Sequence, residues 1–149
     1  MQKLNIILLT IYLACFQTPV QAMSDNGGGS PYEMFELLIE EENYEEAVKK
    51  LNEALTEWPE DAELLNLIAY SHRQLKHYEI AQNYYLMALE IEPSHRGANA
   101  YLGELYLHFG QLDKALERRD VIDDDCFFRC AELKELEAAI EEYRKQNPS

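Results

Sequence analysis

The sequence predicts an all-α protein, a solenoid of about three helix-turn-helix repeats followed by a C-terminal capping helix. Three observations carry this. First, Ala47, Ala81 and Ala115 lie 34 residues apart, and in the same register Tyr44 meets Tyr78, Ala54 meets Ala88 and Pro59 meets Pro93. Ile68-Ala69 likewise meets Leu102-Gly103, with Met34-Phe35 one period earlier. Several independent columns agreeing at one spacing mark stacked structural units. Second, Tyr44, Ala47, Val48, Leu51, Ala54 and Leu55 recur at helical spacing and make one apolar stripe. Third, only 6 Gly and 5 Pro occur in 149 residues, several of them in one early stretch, which leaves little punctuation for short strands. With 47% hydrophobic residues the chain can build a sizeable core.

Residues 1–22 are expected to be a targeting segment. Lys3 precedes an apolar run from Leu4 to Phe16, and Val20-Gln21-Ala22 offers a cleavage site, the pattern of a secretory signal peptide. Gln17, Thr18 and Pro19 end the run short of the roughly 20 apolar residues that a membrane span needs. Cleavage after Ala22 is expected. A lipoprotein anchored at Cys15 is the lesser alternative, because Tyr12 stands where a lipobox prefers Leu. Residues 23–30, rich in Gly, Ser and Asp, read as a flexible leader.

The repeats occupy residues 31–125, divided at about 31–59, 60–93 and 94–125. Helices are expected at 31–42, 44–57, 60–75, 78–91, 95–109 and 112–122. Small residues fill the columns where helices cross closely, and Pro59 and Pro93 end the second helix of a unit because proline cannot continue it. Glu45 with Lys49 and Glu46 with Lys50 suit a wet helix face. The best copy runs from Leu65 through Ile68-Ala69, Ala81, Tyr85 and Ala88 to Pro93, and a second opens with Leu102-Gly103, Tyr106 and Ala115. This pattern closely resembles the tetratricopeptide repeat (TPR). The first copy departs at Pro31 and Phe35, and the third at Arg119 and Phe127.

Residues 126–149 form the junction and cap. Leu133, Leu136, Ile140 and Tyr143 make a stripe, with Glu132, Glu135, Glu141, Glu142 and Lys145 on a polar outer face. Stacked repeats need such a polar-faced terminal unit. After export Cys126 and Cys130 are the two remaining thiols, and in an oxidising compartment they read first as a disulfide. Two cysteines one turn apart in a regular helix point poorly at each other, so the bridge is expected at an irregular junction. A redox pair, a metal site and free thiols stay open as alternatives. The tail also resembles that of periplasmic bacterial TPR proteins ending in a Cys-x3-Cys turn and a short helix.

No residue pattern announces catalysis. His72, His77, His95 and His108 are scattered, and Asp123-Asp124-Asp125 lacks the alternating spacing of a calcium loop. No enzyme activity, metal or cofactor is expected. The net charge of −15 becomes 12 − 28 = −16 once residues 1–22, which carry one Lys, are removed. Such a chain repels phosphate backbones and anionic bilayers, so neither nucleic acid nor membrane is an expected partner.

The resemblance instead implies protein binding in a concave groove lined by first helices. Helical-face counting puts Glu36, Glu40, Glu63, Asn66, Tyr70, Arg73, Gln74, Tyr101, Glu104 and His108 there. Tyr70 and Tyr101 are the expected anchors, and Glu36, Glu63 and Glu104 the steering charges. The family's carboxylate-clamping mode finds only Asn66 and Arg73 among several Glu and is not expected. The function expected is a periplasmic or secreted adaptor for a protein or peptide partner, with a basic or aromatic-containing one the best fit. An accessory role in envelope metal or thiol handling, using Cys126 and Cys130, is the alternative.

Overall fold

A computed structural model describes residues 30–128 and 130–148. The expected signal peptide, Cys15 and the leader as far as residue 29 lie outside the described residues. Seven helices follow in order: α1 (Glu33–Glu40), α2 (Tyr44–Glu57), α3 (Ala62–Gln74), α4 (Tyr78–Ile91), α5 (Arg96–His108), α6 (Leu112–Asp125) and α7 (Ala131–Gln146). No strand interrupts them among the described residues. The chain is an all-α helical-repeat solenoid: α1/α2, α3/α4 and α5/α6 are antiparallel pairs, and α7 packs on α5 and α6 where a fourth first helix would stand.

The repeat columns explain this packing. Ala47, Ala81 and Ala115 are fully buried, one in each second helix, so the 34-residue column is an interior one. The two central first helices are sandwiched between neighbours, and α3 buries Leu64, Leu65, Leu67, Ile68 and Ala69 at once. Its faces feed two cores. One gathers Phe35, Ala47, Leu51 and Ile68 at the N-terminal end. The other gathers Tyr85, Leu102, Leu105, Ile122, Leu136 and Ile140 at the centre and cap.

The elements that place the groove are the loops after α2 and α4. Each second helix ends on an extended residue, Trp58 or Glu92, followed by the proline. The next first helix is then capped from the loop. Asp61 accepts from the Leu64 amide at 3.0 Å, and one period later His95 Nδ1 accepts from the Ala98 amide at 3.2 Å. Each cap satisfies a backbone donor that the helix itself leaves free.

On the wet face of α2 the expected Glu45–Lys49 and Glu46–Lys50 pairs give way to Glu46–Lys49 at 3.5 Å and Lys50–Glu53 at 3.2 Å. Exposed i,i+3 and i,i+4 pairs differ by only a few tenths of a kcal/mol, so spacing alone does not choose between them. The cysteine junction is irregular as expected. Cys126 closes α6 and Cys130 opens α7, both with extended backbone, and a disulfide joins them across 6.0 Å between Cα atoms. Among the described residues, no helix is long and apolar enough to cross a membrane.

Candidate partner-binding groove

First helices, interrepeat loops and the start of α7 together enclose an open cavity of about 740 Å³. The regular sequence spacing brings Glu36, Glu40, Glu63, Asn66, Tyr70 and Tyr101 to its wall, one or more from each of α1, α3 and α5. Tyr32, Glu92, His95, Arg96, Asp125 and Glu132 also line it. Face counting on first helices does not reach these six, because they come from caps, loops, the flanking helices and, for Arg96, the very first residue of α5. One signal was available: His95 stands 34 residues after the capping position Asp61, so its side chain had to turn toward a helix start.

The acidic balance of this wall is pronounced. Six carboxylates, those of Glu36, Glu40, Glu63, Glu92, Asp125 and Glu132, face two basic side chains, His95 and Arg96. Both basic groups are engaged: His95 Nε2 sits 2.8 Å from Glu63, and Arg96 reaches Asp125 at 4.0 Å. Burial opposes protonation of His95, but the Glu63 hydrogen bond and charge, helped by Glu92, outweigh it and raise its pKa above the usual histidine value. Tyr32, pushed up to about 12 by burial and by its hydrogen bond to Asp61, stays a neutral donor at the groove edge.

Tyr70 and Tyr101 meet with ring centroids 5.1 Å apart. The Arg73 guanidinium lies 5.4 Å from the first ring centroid and 5.2 Å from the second, and its Nη1 donates to Glu104 at 2.7 Å. The expected anchors are thus preorganised by a cation stacked on both rings. Arg73 and Glu104 neutralise each other beside the groove and are not among its lining residues. Asn66 is only 4% exposed; its amide reaches Glu63 at 3.4 Å, and its Oδ1 has no hydrogen-bond partner among the described residues. His108 ends α5 against Tyr78, with ring centroids 4.1 Å apart, and does not line the cavity.

A protein-family model described as ChAPs (Chs5p-Arf1p-binding proteins) matches residues 34–120, more than half of the 149-residue chain. The chain belongs to this family. The ChAPs match begins inside α1 and ends inside α6, so the cysteine junction and α7 lie beyond it. No curated protein matches the sequence. Among solved structures, a tetratricopeptide repeat protein from Parabacteroides merdae is similar at TM-score 0.65 and 21% identity, over 76% of this chain and 44% of that one. The chain therefore spans less than half of that protein. The Yersinia enterocolitica type III secretion translocator chaperone SycD is similar at TM-score 0.68 and 14% identity, over 79% of this chain and 92% of that one. At these identities the likeness is one of fold: this ChAPs-family chain is a TPR-like helical-repeat module.

Proposed function

We propose that this protein is an exported adaptor that holds an extended, basic and aromatic-containing segment of a partner protein in its concave groove, without catalysing a reaction. The observation that carries this reading is the groove wall itself, in which six carboxylates surround the Tyr70–Tyr101 pair and both basic side chains are already paired. A Lys or Arg side chain entering there gains charge-assisted hydrogen bonds. A neighbouring aromatic gains the tyrosine faces, which give large contact area at low entropy cost. The helical-repeat family supports a binding role, and the apolar run followed by Val20-Gln21-Ala22 supports export.

The test of binding is fluorescence anisotropy with labelled Lys/Arg-rich peptides, each made with and without Tyr or Trp, and with Glu-substituted counterparts. Saturable binding of the basic aromatic peptides, weakened about 30-fold or more by Tyr101→Ala, is the expected result. Equal binding of the acidic counterparts would remove the reading. Mass spectrometry of the native protein tests export: a chain beginning at Met23 is expected, and an intact segment 1–22 or a lipidated Cys15 would overturn it.

A further inference from the structure

The most exposed large apolar side chains of the described residues are neither in the groove nor on a repeat. Phe127 is 95% and Phe128 86% exposed, with ring centroids 5.6 Å apart in an edge-to-face arrangement. They sit at the tip of the loop that the Cys126–Cys130 disulfide closes between α6 and α7. Packing explains neither ring. The loop connects two helices that already bury Ile122, Leu133 and Leu136, so polar residues at 127 and 128 would serve the fold equally well. Exposed aromatics on a short covalently closed loop are a preorganised contact, since the ordering cost is met before any partner arrives.

The surroundings give that contact a charge. From residue 123 to 132 the chain carries Asp123, Asp124, Asp125 and Glu132 against Arg129, a sum of 1 − 4 = −3. The three Asp are exposed and occupy the last turn of α6, where no basic residue stands. Carboxylates at a helix C-terminus oppose the helix dipole, so this run works against the element that carries it. Among the described residues, Arg96 at 4.0 Å from Asp125 is the ion-pair partner of this run. An arrangement that local stability disfavours, next to two unpacked aromatics, is accounted for by recognition.

We propose that Phe127 and Phe128 form a docking knob that inserts into an apolar pocket of a partner protein, with Lys or Arg side chains on the pocket rim facing Asp123, Asp124 and Asp125. This is a second binding surface, which adjoins the groove at Asp125 and is distinct from it at Phe127, Phe128, Asp123 and Asp124. A second copy of this chain fits poorly. Its apolar recess beside Tyr32, Phe35, Trp58 and Leu64 includes Asp61 and adjoins Glu57 and Glu60, so acid would meet acid. An anionic bilayer is repelled for the same reason.

The test starts from the full chain carrying p-benzoylphenylalanine at position 127 or 128, irradiated in its native cells. A protein joined at either position is then purified and titrated against unlabelled full-length chain. The expected results are three. The double substitution Phe127→Ser and Phe128→Ser weakens binding at least about 30-fold with unchanged melting temperature. Replacing Asp123 and Asp124, neither of which lines the groove, by Asn slows association about 10-fold at low salt and has no effect in high salt. Tyr70→Ala, a groove variant, leaves this binding as it was, which keeps failure of the knob distinguishable from failure of the groove. The proposal is overturned if no adduct forms at either position, or if the joined protein binds the double-serine variant as well as wild type. It is overturned equally by wild-type dimers that the double-serine variant loses in sedimentation, which would make the occupant a second copy. Cosedimentation of wild type but not the variant with phosphatidylcholine vesicles would instead assign the knob to a membrane.

Discussion

Residues 42, 76 and 110 hold the same place at the end of successive first helices, yet only the third is glycine. All three adopt positive φ, at 57° for Glu42, 62° for Lys76 and 72° for Gly110. Each ends its helix with the same pair of hydrogen bonds, seen for example from Lys76 N to Arg73 O at 3.0 Å and from His77 N to His72 O at 2.8 Å. Left-handed backbone costs an ordinary side chain about 1–2 kcal/mol, whereas glycine adopts it freely. Lys76→Gly should therefore stabilise the protein by about 0.5–1 kcal/mol after glycine's larger unfolded-state entropy is deducted. An upward shift in the urea midpoint at constant slope is the measurement; a downward shift would mean that the Lys76 side chain holds a contact worth more than the strain. The histidines make a second residue-scale case. His72 is pulled below the usual value, about 6.5, by burial and then by His77, whose Nδ1 lies 3.3 Å from its own. His95 moves the other way. The helix-start amide on its Nδ1 opposes protonation, but the Glu63 carboxylate at 2.8 Å is the nearer full charge and prevails. His95 thus stabilises the fold below about pH 6.5, and that contribution fades as pH rises through its folded pKa. His72 does the reverse, with stability lost as pH falls below about 6.5. The two offset each other in a bulk melting curve, so NMR titration of each ring is the check. His95 should titrate above 6.5 and His72 below it, and coincident midpoints would reject both environments.

At the scale of elements, α7 stands where the next first helix would stand, and Gly103 is what lets it approach. A Cβ at Gly103 would lie 2.7 Å from Cδ2 of Leu136, a side chain with no exposed surface into which to withdraw. Gly103→Ala gains about 1 kcal/mol in helix propensity but overpacks a tight contact, which typically costs about 1–3 kcal/mol. The clash should prevail locally. Amide exchange in α7 should speed up relative to α3 and α4, and the melting temperature should fall or hold. Slower exchange in α7 with a higher melting temperature would show that Leu136 has room to move. This contact also marks the boundary of what the sequence reveals. The helices of the repeats were legible because packing enforces a 34-residue period on the columns Ala47/Ala81/Ala115 and Pro59/Pro93, and α7 because its stripe lies between Cys130 and Pro148. That Gly103 serves the cap was not legible, since the same column in α3, Ala69, serves an ordinary repeat neighbour. The groove divides in the same way. Tyr70, Tyr101, Glu36 and Glu63 follow from helical spacing, whereas Glu92, Asp125 and Glu132 reach the wall through loops and helix ends that no period governs. The pairing of Arg73 with Glu104, 31 residues apart, depends on side-chain reach between α3 and α5 and leaves no mark in any single helix.

For the whole molecule, the net charge of −15 is not spread evenly with respect to function, because the groove concentrates six carboxylates around two tyrosines. A concave surface of one sign focuses its field, which raises the encounter rate with a cationic ligand and makes that rate depend on salt. Not every acid near the groove contributes equally. Glu36, Glu40 and Glu92 are exposed on its wall, and neither Glu40 nor Glu92 makes an ion pair among the described side chains. Glu104, grouped with the steering residues on sequence grounds, is bound to Arg73 at 2.7 Å, so its charge is cancelled within hydrogen-bond distance. The two sets should separate kinetically. Replacing Glu36, Glu40 and Glu92 together by Gln should slow association of the basic aromatic peptide about 10-fold at low salt, leave dissociation nearly unchanged, and flatten the salt dependence. Glu104→Gln should spare association, because removing an already neutralised charge hardly alters the distant field. It should speed dissociation instead, because Arg73 loses the carboxylate that holds its guanidinium over Tyr70 and Tyr101 and the ring pair becomes looser. Stopped-flow measurement of both rate constants at two ionic strengths resolves the two effects. If Glu104→Gln slows association as much as the triple variant does, the Arg73 pair does not survive in solution and Glu104 belongs with the steering charges after all.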